Sequence, residues 1–141
     1  MTQSNPSPGS ETIAQPMDIV AQAYAAFAKQ DLDALLDLVD TDVVVTQDDA
    51  LPWGGRHVGR DGVVNFAATL VGTIDSTVTP VALFQAGEHV VQYGRTHGTV
   101  RASGEPFDTP ECHIWTVRHG RIVEAAFFLD TDSMLRALTT R

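Results

Sequence analysis

The sequence TPECHIWTVRHGRIVEAAFFLD at residues 109–130 predicts two β-strands joined by a tight turn at residues 118–121. Side chains along a strand alternate between the two faces of a sheet. Glu111, His113 and Trp115 are therefore expected to share one face. Burying a carboxylate, an imidazole and an indole together is costly unless each group finds a partner. This face is the first candidate for a functional site.

The chain has 141 residues, which predicts one domain with a core large enough to hold a pocket. Residues 1–15 are rich in Ser, Pro, Gly, Thr and Gln, so we expect a disordered tail followed by a single domain over residues 16–141. The single cysteine, Cys112, excludes an internal disulfide. A chain without disulfides fits a reducing compartment, so we expect a cytoplasmic protein.

The net charge of −9, from 18 acidic and 9 basic residues, argues against several partners. Nucleic acids and anionic membrane surfaces both require a positive protein surface, so neither is expected to bind. No apolar run approaches the ~20 residues needed to cross a bilayer. The first 16 residues lack the basic and apolar regions of a secretory signal, so no leader is expected there.

The spacing of apolar residues predicts the order of secondary-structure elements. Helices are expected at residues 17–29, 32–39, 61–72 and 132–138, and strands at 42–47, 76–85, 89–100, 107–117 and 122–129. Asp31 is the expected N-cap of the second helix. Residues 48–60 are predicted to form a loop. Because short turn sequences join the last four strands, these strands should form an antiparallel meander.

This order indicates an α+β fold. We expect a cone-shaped, strongly curved antiparallel sheet with the N-terminal helices packed over its concave face. A sheet that is curved in this way encloses a hollow, and such a hollow is a natural cavity for a small ligand.

Four short segments carry a resemblance to a known superfamily: YAAF at residues 24–27, GRDGV at 59–63, HIW at 113–115 and GRI at 120–122. Together with the order of elements, they resemble the nuclear transport factor 2 (NTF2)-like superfamily over roughly residues 17–139. The SnoaL-like branch, related to polyketide cyclases and ketosteroid isomerase, is the most similar. The resemblance implies a cystatin/NTF2-like α+β barrel, whereas function varies widely within this fold.

The resemblance also suggests roles for single residues. His113 matches a pocket-facing histidine of the SnoaL-like cyclases. Gln47 falls near the position of the aspartate base in ketosteroid isomerase. Phe127 matches the position of an aspartate on the last strand of the cyclases and of limonene epoxide hydrolases. Arg95 and His97 match an Arg and an Asp of those hydrolases. The usual catalytic aspartates are therefore absent, which leaves open whether the chain is an enzyme.

The residues themselves suggest a reaction if the two neighbouring strands both turn their polar groups inward. His113 would move a proton, Glu111 would orient the imidazole, and Arg95 would stabilise negative charge on a carbonyl oxygen. The alternative is a purely structural ion pair between Arg95 and Glu111. A metal site formed by His97, His113 and Glu111 is also conceivable, but the neighbouring Arg95 disfavours a dication. We expect no metal and no cofactor.

Other residues are candidates for contacts with a ligand. The expected substrate-binding set is Tyr24, Gln47, Trp53, His97, Trp115 and Phe127. Trp53 lies in a loop with Gly54 and Gly55 and is either a mobile cover of the pocket or an ordinary loop anchor. Asp48 or Asp49 either replaces the missing base or belongs to a solvated loop.

The expected function follows from these residues together with the resemblance. The ligand would be a small hydrophobic molecule with a carbonyl or carboxylate group. The leading hypothesis is a cofactor-free isomerase, cyclase or lyase, and the alternative is a non-catalytic ligand-binding or dimerisation module. By analogy with the superfamily, a homodimer should form through the outward sheet face, to which we assign Gln92, Thr96, Ile114 and Thr116.

Overall fold

A computed structural model describes residues 15–140 of the chain. The helices are α1 (Pro16–Ala28), α2 (Leu32–Leu36), α3 (Gly59–Thr73) and α4 (Thr131–Thr139). The strands are β1 (Val39–Gln47), β2 (Gly55–Val58), β3 (Ile74–Ala86), β4 (His89–Val100), β5 (Pro106–Arg118) and β6 (Arg121–Leu129). All six strands belong to one sheet with the order β2-β1-β6-β5-β4-β3.

The helices begin where local chemistry favours it. Pro16 occupies the first turn of α1, where its missing N–H costs nothing. The carboxylate of Asp31 accepts a hydrogen bond from the backbone N–H of Ala34 at 3.1 Å, so the expected N-cap of α2 is confirmed. Asp130 caps α4 in the same way, through the backbone N–H of Ser133 at 3.1 Å.

The sheet combines the predicted meander with two strands from the N-terminal half. β3, β4, β5 and β6 pair antiparallel in sequence order, as expected. β1 lies parallel to β6, with Val39 opposite Ile122. The prediction of a loop over residues 48–60 was wrong in part, because Gly55–Val58 forms a short edge strand against β1. Four residues with one large apolar side chain are too few to show a strand period.

The sheet is open and its inner face is covered by helices, which confirms the predicted α+β fold. The core lies between α1, α3 and the inner face, and includes Val20, Phe66, Trp115 and Phe127. No helix within residues 15–140 is long and apolar enough to cross a membrane. The expected disordered tail falls almost entirely on residues 1–14, outside the described part of the chain.

Candidate functional site

A cavity of about 560 Å³ lies between the helices and the inner face of the sheet. Six aromatic side chains form much of its wall: Tyr24, Phe27, Trp53, Phe66, Trp115 and Phe127. The ionisable groups of the wall, besides Tyr24, are Asp75, Glu111 and His113. The cavity therefore brings together seven of the nine residues that the sequence suggested, including Gln47.

The register between β4 and β5 decides which polar residues face this cavity. His113 lies opposite Gln92, and Glu111 lies opposite Gly94. Residues that are directly opposite in an antiparallel pair have side chains on the same face. Gln92 and Thr96 are accordingly buried on the inner face. Their assignment to the outward face was wrong.

Arg95 and His97 lie on the outer face of the sheet, so their expected convergence with the inner residues was also wrong. The Nε of Arg95 donates to Oδ1 of Asp108 at 2.7 Å, and the arginine side chain is 47% exposed. The Nε2 of His97 lies 2.9 Å from the hydroxyl of Thr79, also outside the cavity. Arg95 is therefore in no position to stabilise charge in the cavity, and His97 cannot join Glu111 in a metal site.

Tyr24 and His113 form the centre of a buried hydrogen-bond network. The Tyr24 hydroxyl lies 2.7 Å from Nδ1 of His113. It accepts hydrogen bonds from Nε1 of Trp115 at 3.0 Å and from Nε2 of Gln92 at 3.2 Å. The Nε2 of Gln92 also lies 3.2 Å from Nδ1 of His113. Since the indole and amide nitrogens can only donate, the hydroxyl proton goes to Nδ1 of His113. The imidazole then carries its own proton on Nε2.

Glu111 completes this network at the wall of the cavity. The Nε2 of His113 lies 3.2 Å from Oε2 of Glu111, and Gln92 Nε2 lies 2.8 and 3.0 Å from the two carboxylate oxygens. Burial raises the pKa of Glu111, and the hydrogen bond from Gln92 partly opposes this. Burial also lowers the pKa of His113 to about 4, so its imidazole is neutral at pH 7.

Trp53 and Gln47 form a second polar contact of the cavity wall. The Nε1 of Trp53 donates to Oε1 of Gln47 at 2.9 Å, and the tryptophan is 1% exposed. This contact fixes the amide so that its Nε2 is the end available to a ligand. A Cβ at Gly54 would overlap the carbonyl oxygen of Asp48, which shows how closely the loop is packed. Trp53 is thus a buried wall residue of the cavity.

No base replaces the missing catalytic aspartates at Phe127, Asp48 or Asp49. Phe127 lies opposite His113 in the register, and their ring centroids are 4.6 Å apart in an edge-to-face contact. Asp48 is exposed and accepts from the backbone N–H of Ala50 at 2.9 Å. Asp49 is exposed as well, and neither aspartate lines the cavity.

The SnoaL-like domain family matches residues 20–125 of the chain. The chain belongs to the SnoaL-like family. Among curated proteins, none matches it significantly.

Solved structures agree with this membership. An NTF2-like protein of Burkholderia thailandensis is 31% identical, with 91% of this chain and 100% of that one aligned and a TM-score of 0.84. IdmH, a proposed polyketide cyclase of Streptomyces antibioticus, is 28% identical over 90% and 100% of the two chains, with a TM-score of 0.73. A protein of Catenulispora acidiphila with a ketosteroid isomerase-like fold, solved in complex with trimethylamine, shares the fold at 22% identity. The alignment covers 91% and 96% of the two chains, with a TM-score of 0.76.

Sequence reasoning missed Gln92, which contacts three members of the network. The signal that identifies it is the pairing register, because Gln92 lies on the inner face of the sheet only if it lies opposite His113. Membership in the SnoaL-like family and the buried polar network together support a ligand-binding or cyclase-type function.

Proposed function

We propose that this SnoaL-like protein is a cytoplasmic, cofactor-free isomerase, cyclase or lyase that moves a proton at a carbon next to a carbonyl group. The observation that carries the proposal is the chain of hydrogen bonds from Tyr24 through His113 to Glu111. A neutral imidazole between a hydroxyl and a carboxylate is the arrangement of general acid–base catalysis. A reducing compartment suits a chain whose single cysteine has no partner.

In this proposal the ligand takes the place of one partner of His113. The ligand's carbonyl oxygen accepts the hydrogen bond of the Tyr24 hydroxyl, which frees Nδ1 of His113. Nδ1 then accepts the proton from the carbon next to the carbonyl, and the electron pair of the broken C–H bond forms the enolate. Glu111 stabilises the imidazolium that results. The proton is later returned to the ligand.

Two other donors support the negative charge that develops on the ligand oxygen. The Nε2 of Gln47 is available because its Oε1 is held by Trp53. The Nε1 of Trp115 already donates to the Tyr24 oxygen and so strengthens that hydroxyl as a donor. These neutral donors replace Arg95 in the role that the sequence suggested for it.

One observation favours the alternative, a non-catalytic ligand-binding module. Both ring nitrogens of His113 already have protein partners, and the Glu111 side chain is only 1% exposed. A network of this kind also serves to shape a pocket without chemistry, since buried polar groups require partners in any case.

Deuterium exchange separates the two functions before the substrate is known. Aromatic ketones, steroid ketones and short keto acids are incubated with the protein in D2O, and NMR follows exchange at the carbon next to the carbonyl. We expect protein-dependent exchange for at least one class, loss of exchange in His113→Gln, and full activity in His97→Gln, the matched change on the outer face. Binding without any exchange would refute proton transfer and establish the alternative.

We also propose that two copies pair through the outer face of the sheet. Tyr93, Cys112 and Phe128 are direct neighbours across β4, β5 and β6. Tyr93 and Phe128 are each about half exposed, and Phe84 on β3 adds to this apolar area. Exposed apolar patches of this kind mark interfaces. Light scattering should give twice the chain mass, reduced to one chain in Phe128→Glu but not in Val58→Glu on β2. A monomeric wild type would contradict the proposal.

A further inference from the structure

Within residues 15–140, all the charged side chains that line the cavity are acidic. Glu111 lies on the cavity wall together with the more exposed Asp75, and no lysine or arginine of the described residues contributes to the lining. Arg95, the basic residue expected there, is paired with Asp108 on the other face of the sheet. His113 adds no positive charge because its imidazole is neutral at pH 7. When these carboxylates are ionised, the electrostatic potential inside the cavity is negative.

Glu111 has no cationic partner among residues 15–140. The groups that donate to it are the amide of Gln92 and the neutral imidazole of His113. A buried carboxylate with only neutral donors is poorly compensated for the loss of water. A positive charge that enters the cavity beside it would relieve this cost, whereas a carboxylate ligand would add a second negative charge.

The remaining wall is suited to an apolar cation. The rings of Trp115 and Phe127 lie with centroids 5.3 Å apart, and those of Phe66 and Phe127 lie 5.5 Å apart. Tyr24 lies 5.4 Å from Trp115, so the rings form one connected surface. Aromatic faces attract organic cations within about 6 Å of the ring centroid.

From this combination we infer that the cavity selects ligands that carry an organic cation, namely a small substituted ammonium group attached to an apolar body. The inference rests on the proposed function, because it names the substrate class of the same site: a carbonyl compound that also bears an amine. The ammonium group lies near Glu111 and against the aromatic wall. Of the carbonyl and carboxylate groups expected from the sequence, only the carbonyl is compatible with this electrostatic environment.

The test compares three probes of similar size: phenyltrimethylammonium, its neutral isostere tert-butylbenzene, and benzoate. Both tryptophans of the chain line the cavity, so their fluorescence reports binding directly. We expect the cation to bind the wild-type protein at least about tenfold more tightly than the neutral isostere. Benzoate should bind more weakly than both. A neutral probe that binds as tightly as the cation would overturn the inference.

Variants identify the source of the preference. Glu111→Gln should abolish the preference for the cation while tert-butylbenzene still binds, and Glu124→Gln, the same change at an exposed position of β6, should leave it intact. Asp75→Asn changes an exposed position, so it keeps the test valid if Glu111→Gln fails to fold. This variant should weaken the binding of phenyltrimethylammonium but not that of tert-butylbenzene. A preference that survives both Glu111→Gln and Asp75→Asn would overturn the inference.

This test is independent of the test for proton transfer. Selective binding of the cation without deuterium exchange on amino ketones would support the ligand class and refute the catalytic function. Exchange on neutral ketones without any preference for cations would support catalysis and refute the ligand class.

Discussion

Replacing Tyr24 with Phe removes one oxygen atom from the centre of the polar network. The hydroxyl donates to Nδ1 of His113 and accepts from Trp115 and Gln92. Phenylalanine keeps the ring and its packing, so the substitution isolates the three hydrogen bonds. Gln92 retains its bonds to Glu111, and its Nε2 also lies 3.2 Å from Nδ1 of His113. Among the described residues, only the indole N–H of Trp115 is therefore left without a partner.

The structure sets the size of the effect. Each buried polar group that is left without a partner costs about 1–3 kcal/mol. One buried donor loses its partner in Tyr24→Phe, and the desolvation cost of the hydroxyl itself disappears. We therefore expect the free energy of unfolding to fall by about 1 kcal/mol.

Urea denaturation followed by circular dichroism, at one protein concentration, measures this difference. The chain contains two tyrosines, so Tyr93→Phe is a matched control. Tyr93 is 48% exposed, and its hydroxyl makes no hydrogen bond to the described residues, so this variant should change stability by less than about 0.5 kcal/mol. A Tyr24→Phe variant as stable as Tyr93→Phe would show that the network does not hold the fold in the way described.

Two further predictions concern the same wall of the cavity. Because burial lowers the pKa of His113 from 6.5 to about 4, the unfolded chain binds the proton more readily, and stability should fall as pH decreases from 6.5 to 4. The raised pKa of Glu111 acts in the opposite direction, so His113→Gln should flatten or reverse this decline in urea titrations. Gly94→Ala would place a methyl group against the backbone carbonyl oxygen of Thr79 and 2.7 Å from Oε1 of Gln92. This change should cost about 1–3 kcal/mol, with weaker ligand binding by fluorescence. Gly72→Ala near the end of α3 meets no atom within 4 Å and should be neutral or slightly stabilising in the same assays. Equal effects of the two changes would contradict the close packing around Gly94.

The alternation of side chains along β5 could be predicted from the sequence because the polar and apolar positions are distinct. Glu111, His113 and Trp115 share the face on which a period of two places them. The helices that show a clear apolar stripe were also predicted within a few residues. In these segments the local pattern and the tertiary burial agree, which is the condition under which sequence reasoning works.

The face of β4 could not be predicted in the same way. Its sequence carries polar residues at both parities, with Gln92 and Thr96 on one face and Arg95 and His97 on the other. The faces are distinguished by the register with β5, and a shift of one residue exchanges them. The short edge strand β2 and the parallel pairing of β1 with β6 depend on contacts between distant segments, so no local period reveals them.

The parallel pairing of β1 with β6 has a consequence for biosynthesis. β1 ends at Gln47 and its partner β6 begins at Arg121, so more than seventy residues separate the two strands in the sequence. All of these residues must leave the ribosome before β1 and β6 can pair. Until then the growing polypeptide consists of an N-terminal helical hairpin with two strands and a separate meander, each with an unprotected edge. The ligand chamber has walls from both parts and therefore closes only after β6 has been synthesised.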